Sequence, residues 1–466
     1  MNVAPGRETE DHMNSRIGGS PRRWTVGTLS YSALGLFILF CWLLWGDFSW
    51  SMKERAVPPI TQLLLKGHGA PDSLIGFLIG SVPAILTIVI GPIISYRSDR
   101  HRGRWGRRIP YLLVTTPIAV VSMVGLASTP YLTGMLHRSL GAASPGLHPL
   151  SIVLYGLFWT VFEFASIIGN AVFLALINDV VPEKFLGRFF GAFRAIGLMA
   201  GILFSFWIMG IAETHPAWIF LGMGVLYGAA FGLMCLKVRE GGYPPPSDEA
   251  DDGRGGFLHS ARTYFRECYG HSYYRWFFLS LAFSWMAFVP VNLFSLFFAK
   301  SIGMSIDTWG KCMAAAYCIS LVLAYPLGVL VDRFHPLRIS LITQAVYVAV
   351  VLWGGLFVRD AATFGVVLIL QCTLAGTWMT AAASLPQRLL PKDRFAQFAS
   401  AAAIVTSLGT MLAGPLMGLL LDLTGQVYQY TFLVSSALAA TALVTGVVVL
   451  VKFGRLGGAA HYAAPQ

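Results

Sequence analysis

Twelve apolar stretches recur along the chain, each at least about the 20 residues that a helix needs to cross a bilayer core, separated by polar breaks. They fall at 30–65, 73–96, 111–134, 151–178, 188–211 and 216–237, then at 274–299, 309–331, 337–358, 362–385, 395–420 and 428–452. Between the two sets lies "KVREGGYPPPSDEADDGRGG", whose Pro, Gly and acidic content predicts a flexible linker. In the following "FLHSARTYFRECYG", Phe257, Ala261, Tyr264 and Cys268 share a face, which predicts a helix lying on the membrane surface. The first span is too long for one straight helix, so tilt or a break before Pro58 and Pro59 is expected. The whole pattern predicts an all-α membrane protein: two six-helix bundles at 29–237 and 274–453, a tail at 1–28, a linker at 238–273 and a tail at 454–466.

Composition agrees. The chain is 56% hydrophobic and 12% charged, where a soluble protein carries about 25% charged residues. Its net charge of +11 would suit nucleic acid, but the basic residues cluster between apolar runs. Most of the 33 Lys and Arg fall on the side of the N-terminus, which by the positive-inside rule places both termini in the cytoplasm. Nucleic acid is therefore excluded as a partner and the lipid bilayer is expected. The six cysteines form no C-x-x-C pair and read as small buried hydrophobes. The first 23 residues lack the apolar core of a signal peptide. No nucleophile–base set, metal-ligand cluster or phosphate loop stands out, so neither an enzyme nor a cofactor is expected.

One break is unlike the rest. "RSDRHRGRWGRR", residues 97–108, holds six arginines around the single acid Asp99. Anchoring topology needs the arginines and not the acid. "SYRSDR" closes the second span, "GVLVDR" (with Asp332 and Arg333) closes the eighth, and "VVPEKFLGRFFGAF" matches "LLPKDRFAQFASAA" between the fourth and fifth helices of each half. Paired six-helix repeats of this kind mark transporters whose site lies between the halves.

The Asp-Arg pair and the basic run after the second helix resemble the signature loop of the major facilitator superfamily. That resemblance implies a latch holding the outward-open state, with Asp99 as its acid, Arg100, Arg107 and Arg108 as partners, and Asp179, Asp332 and Arg333 in the same gating set. Four stretches are similar to the sucrose transporters and related glycoside–cation symporters. They are "SDRHRGRWGRRIPYL"; Phe48, Trp50, Pro59 and Gln62; "SWMAFVPVNLF", with Trp285 and Asn292; and "FWTVFEFASIIGNAVFLALIND", with Asn170. The last places Glu163 on the group's intramembrane acid and Asp179 on its cytoplasmic one. The sequence departs from the group at Ser166, Ile167, Leu174 and Ser295, and from sodium-coupled relatives at Thr87 and Gly91.

Ionisable groups inside a bilayer are costly and so mark function. Glu163 lies mid-span among Phe and Trp, where desolvation favours its protonated form, and it is the first candidate for carrying a coupled proton. Asp47 is the second. Arg194 is either a donor to substrate or a cation locking helices together. Asp47, Lys53, Glu54 and Arg55 either line the cavity or cap the helix outside, and Trp45, Phe48 and Trp50 beside them suit stacking on a sugar. The expectation is a monomeric, proton-coupled sugar or glycoside symporter in a bacterial-type plasma membrane. An exporter of amphiphilic compounds and a non-transporting sensor are the alternatives.

Overall fold

The structure is a computed structural model that describes residues 23–242, 257–392 and 394–465. Most of the tail and most of the linker lie outside these residues, as do the side chains of Phe257 and Ala261. Among the described residues, twelve helices are long and apolar enough to span a membrane. The first bundle comprises α1 (Ala33–Gly67), α2 (Asp72–Arg100), α3 (Ile109–Ala143), α4 (Leu147–Val180), α5 (Glu183–Ile211) and α6 (Pro216–Lys237). The second comprises α7 (Ser272–Ser301), α8 (Ile306–Phe334), α9 (Pro336–Phe357), α10 (Ala361–Leu389), α11 (Phe395–Leu423) and α12 (Gln429–Arg455).

The helices begin where local chemistry supplies a cap. Ser32 accepts the Gly35 N–H at 3.1 Å, Ser305 that of Thr308 at 3.1 Å, and Asp360 those of Ala362 and Thr363. Several helices outrun their apolar windows, α3 by nine residues beyond 134, because helical hydrogen bonding does not stop where hydropathy does. Of the tilt or break expected in α1, the break is absent. Pro58 and Pro59 sit inside one continuous helix; the bonds they remove are those to the carbonyls of Glu54 and Arg55, on the stretch that lines a cavity between the bundles, where a freed carbonyl need not face lipid. A small hairpin (Trp24–Val26 with Leu29–Tyr31) lies where a plain tail was expected. Trp24 packs edge-on against Phe185 at 5.5 Å, and Thr28 Oγ1 accepts the Gly242 N–H. Three-residue strands carry too little pattern to be read in advance.

The helix Phe257–Gly270 is present as expected. Tyr264 bonds Ser400 at 2.6 Å, and Cys268 is buried beside the Gln397 carbonyl, so the second half of this helix rests on the start of α11.

The two bundles meet through α2 against α11 and α5 against α8. Both crossings fall at π-helical turns, Gly76–Ser81 in α2 and Phe204–Ile208 in α5. Backbone meets backbone there: an added Cβ at Gly80 would stand 3.4 Å from the Gly414 Cα, and at Gly76, Gly414 and Gly418 it would collide with the opposite main chain. These crossings lie at the end of the molecule opposite the Arg-rich loop, here called the far face. Toward the Arg-rich face the same helices expose Ile93, Tyr96, Tyr325 and Val329.

Candidate functional site

A cavity of about 730 Å³ lies between the bundles. Its α1 wall is Ser51, Glu54, Arg55, Pro58, Pro59 and Gln62, positions spaced i, i+3, i+4, i+7, i+8 and i+11, which fall on one helical face. α5 contributes Arg194, and the second bundle contributes Asn292, Trp309, Tyr317 and Cys372. Two arginines cross the cavity. Arg55 donates to the Tyr317 hydroxyl at 2.9 Å with its guanidinium 4.7 Å from that ring. Arg194 donates to Thr380 Oγ1 at 2.6 Å and to the Gly376 carbonyl at 3.4 Å. Trp309 is 8% exposed, and its indole N–H has no acceptor among the described residues.

Behind this wall sits a buried charge cluster. Lys53 has no exposed surface; its Nζ bonds Glu54 at 2.5 Å and Ser166 at 2.9 Å and lies 3.7 Å from the Trp50 ring centroid. Phe162 and Tyr227 flank it at 4.9 and 5.1 Å. Glu163, one turn before Ser166 on α4, is buried and within electrostatic reach of Lys53 and Glu54. A lysine can be held here because a carboxylate, a hydroxyl and three aromatic faces replace its water.

Several expected cavity residues are placed elsewhere. Trp50 packs into the first bundle against Phe173, Tyr227 and Phe231 and lies over Gly169; Lys53, three residues on, shares that inward face. Asp47 is on the same face, buried with Oδ2 unpaired. Trp45 stacks on Phe48 at 5.9 Å, Asn170 is exposed on α4, and Trp285 stands edge-on to Trp378; none of these lines the cavity. Glu54, Arg55, Arg194 and Asn292 do line it. The run of three charges at 53–55 is therefore split between the bundle interior and the cavity, and does not cap α1 outside.

At the Arg-rich face, Arg108 forms ion pairs with Asp99 and, at 3.0 Å, with Asp179, while Arg107 reaches Asp179 at 2.5 Å. Arg100 instead lies over the Tyr96 ring at 3.8 Å, so it is not Asp99's partner in this arrangement. In the second bundle Asp332 pairs with Arg388 at 3.1 Å, and Arg333 lies over Phe334. Asp99, Asp179 and Asp332 thus each find a cation within their own half. Glu240, which drew no attention in the sequence, accepts the backbone N–H groups of Arg107, Arg108 and Ile109 at 2.9, 2.8 and 2.7 Å. It caps the start of α3 from the linker, a long-range pairing with no local signal.

Hydrogen bonds cross between the bundles at the far face as well as in the cavity. Asp422 of α11 accepts the N–H groups of Asp72 and Ser73, at 2.8 and 2.9 Å, at the start of α2. Tyr428 donates to Asp72 at 3.2 Å, and Lys66 pairs with Asp72 at 2.7 Å. Ser81 donates to the Met411 carbonyl, and Lys300 pairs with Glu213 at 2.6 Å. The cavity is closed at this end.

Comparison with known proteins places the chain. The family model of the Major Facilitator Superfamily matches residues 36–414 and 276–457. Among curated proteins, a membrane-associated transporter protein of Mus musculus is 28% identical over 194 residues, 40% of this chain and 33% of that protein. Solute carrier family 45 member 4 of Mus musculus is 26% identical over 219 residues, 44% of this chain and 26% of that protein. The matched stretch thus spans a third or less of these relatives. Among solved structures, a D-xylose–proton symporter superposes with a TM-score of 0.65 at 13% identity, covering 88% of this chain and 97% of that one. A nucleoside transporter does so with a TM-score of 0.62 at 11% identity, covering 89% and 99%. Identities this low speak to fold alone, and with the twelve spans and the family match they lead to one conclusion: the chain belongs to the Major Facilitator Superfamily of membrane transporters.

Proposed function

We propose that this transporter is a proton-coupled symporter of a sugar or glycoside, working as a monomer by alternating access in a bacterial-type plasma membrane, with the Arg-rich face and both termini in the cytoplasm. The observation that carries this reading is a cavity between the bundles, closed at the far face, whose α1 wall carries Glu54 paired with the buried Lys53, and behind that wall the buried carboxyl Glu163. Hydroxyl-bearing cargo suits the amide and hydroxyl groups of Gln62, Asn292 and Tyr317 beside the indole of Trp309. Kinship with the sucrose transporter group rests on the four stretches of sequence, and orientation rests on the charge bias. Glu163 is the coupling carboxyl in this reading, with Asp47 next to test. Asp99, Arg107, Arg108 and Asp179 form the gating set at the cytoplasmic face, with Asp332 and Arg333 as its counterpart. The two cavity arginines speak against an exporter of cationic amphiphiles.

The test is Glu163→Gln in proteoliposomes. Replacing the carboxyl by a permanently neutral amide leaves sugar counterflow intact and abolishes accumulation driven by an imposed pH gradient. Accumulation at the level of the unmodified protein removes Glu163 from the coupling role. Loss of both activities with poor thermal stability assigns it a structural one.

A further inference from the structure

A second recess, of about 600 Å³, opens at the Arg-rich face between the loop that follows α2 and the segment that leaves α6. Arg102, Arg104 and Arg239 line it with Trp105 and Leu236, and Glu240 is its one carboxylate among the described lining residues. Both oxygens of that carboxylate are taken by the N–H groups of Arg107, Arg108 and Ile109, so three arginines stand against one acid that is already engaged. The gating pairs use Arg107 and Arg108. Arg104 and Arg239 take no part in them, and neither side chain has an ion pair or hydrogen bond among the described residues.

The loop holds this arrangement in a fixed shape. Gly103 and Gly106 exchange backbone hydrogen bonds at 3.3 and 3.1 Å, closing a two-residue turn with Arg104 and Trp105 at its tip. Gly106 has a φ of +99°, and an added Cβ would stand 2.5 Å from the Glu240 carboxyl carbon, so the turn closes against Glu240 only with glycine there. The Trp105 ring is thereby held out 54% exposed. An indole in that position is poorly placed in bulk water and well placed in the headgroup layer of a bilayer, which suits a flat apolar ring with one polar N–H.

Position in the fold agrees. α3 and α6 pack on each other and on α4 and α1 of their own bundle, whereas the bundles meet through other helices, so the recess lies on a flank turned to lipid. Leu233 and Leu236 are exposed on the last turns of α6, and Arg239 follows just past the end of that helix. A ligand seated here meets apolar side chains on one side and guanidinium groups on the other, at the level where a bilayer changes from acyl chain to phosphate.

We propose that this recess binds the headgroup of an anionic phospholipid, its phosphate held by Arg104 and Arg239, with Trp105 and Leu236 against its glycerol and upper acyl chain. The same loop carries Asp99 and Arg108, so a lipid seated here ties the gating loop to the surrounding leaflet.

Native mass spectrometry of the full-length protein, released from detergent that holds phosphatidylglycerol and phosphatidylcholine in equal amounts, counts what is retained. Phosphatidylglycerol is expected to be kept in preference, and Arg104→Gln combined with Arg239→Gln to weaken its retention by at least about tenfold. Trp105→Ala weakens it as well, with no change of charge. Arg338→Gln combined with Arg455→Gln removes the same charge from exposed positions on the same face outside the recess, and leaves retention unchanged. Equal retention of the two lipids by the unmodified protein overturns the site, as does full retention by the Arg104 and Arg239 variant. An equal loss in the Arg338 and Arg455 control reduces the effect to net charge and overturns the recess. Glycerophosphoglycerol, the headgroup without its chains, competing as strongly as the lipid would make this a site for a soluble anion and overturn the lipid. A preference that emerges only when Asp248, Glu249, Asp251 and Asp252 are replaced by amides would give the recess to the chain's own acidic stretch instead. Thermal unfolding in lipid-free detergent checks that each variant folds, and the comparison of lipids in the unmodified protein stands by itself.

Discussion

At the scale of single residues, Lys53 shows how neighbours in sequence take opposite roles. Lys53 faces the bundle interior, whereas Glu54 and Arg55 are turned toward the cavity, because successive positions on a helix point about 100° apart. The Lys53–Glu54 contact is therefore a bridge from the interior to the cavity wall. Glu54 faces the cavity, so removing Lys53 leaves a carboxylate that water can reach, whereas removing Glu54 leaves a fully buried ammonium without its counter-charge, the case in which a buried pair matters most. Glu54→Gln preserves size but unpairs Lys53, and is expected to destabilise the protein by about 3 kcal/mol. Adding Lys53→Met should return a substantial part of that loss. Chemical denaturation of the two single variants and the double variant measures the coupling; strictly additive effects would mean that the pair contributes nothing.

Elements show what a sequence discloses and what it withholds. All twelve spans were legible because each buries a long apolar window in lipid, a property carried by the residues themselves. Their ends, the Trp24–Tyr31 hairpin and the Glu240 cap depend on partners distant in sequence, and so were not. On α1 the cavity face is present in the sequence as the spaced set Ser51, Glu54, Arg55, Pro58 and Gln62, whereas the aromatic residues Trp45, Phe48 and Trp50 lie off that face. Hydropathy also cannot distinguish a glycine that merely tolerates a helix from one that a second helix needs. Gly414 is of the latter kind, since an added side chain meets the Gly76 carbonyl across the bundle interface, while Gly328 of α8 has open space around it. Gly414→Val is expected to prevent closure at the far face, and Gly328→Val to leave it unaffected. Cys372 lines the cavity, so with the other five cysteines replaced it becomes a reporter. A membrane-impermeant maleimide added at the far face should label it in the Gly414 variant and not in the Gly328 variant. Equal labelling in the two would refute a role for this crossing in closure.

For the whole molecule, the two faces hold unequal sets of bonds in this state. The far face is joined by Asp422 across to the start of α2, by Tyr428 to Asp72 and by Lys300 to Glu213. At the Arg-rich face the ion pairs of Asp99, Asp179 and Asp332 stay within their halves. A carrier that alternates must exchange one set for another, and its resting population follows the difference between them. Asp422→Asn keeps the shape of the side chain but leaves a single acceptor oxygen and no charge for two N–H groups. Losing charge-assisted bonds costs about 1–3 kcal/mol, enough to shift a two-state ratio by about tenfold or more toward opening at the far face. Asp99→Asn is expected to act in the opposite sense, since the latch that the signature loop implies would serve the state in which the Arg-rich face is shut. Sided labelling of Cys372 measures both: faster reaction from the far face in Asp422→Asn, slower in Asp99→Asn, and a return toward the unmodified rate when the two are combined. If the double variant instead matched either single variant, the two faces would not be balanced against each other, and Asp99 would be left as an anchor for Arg108 alone.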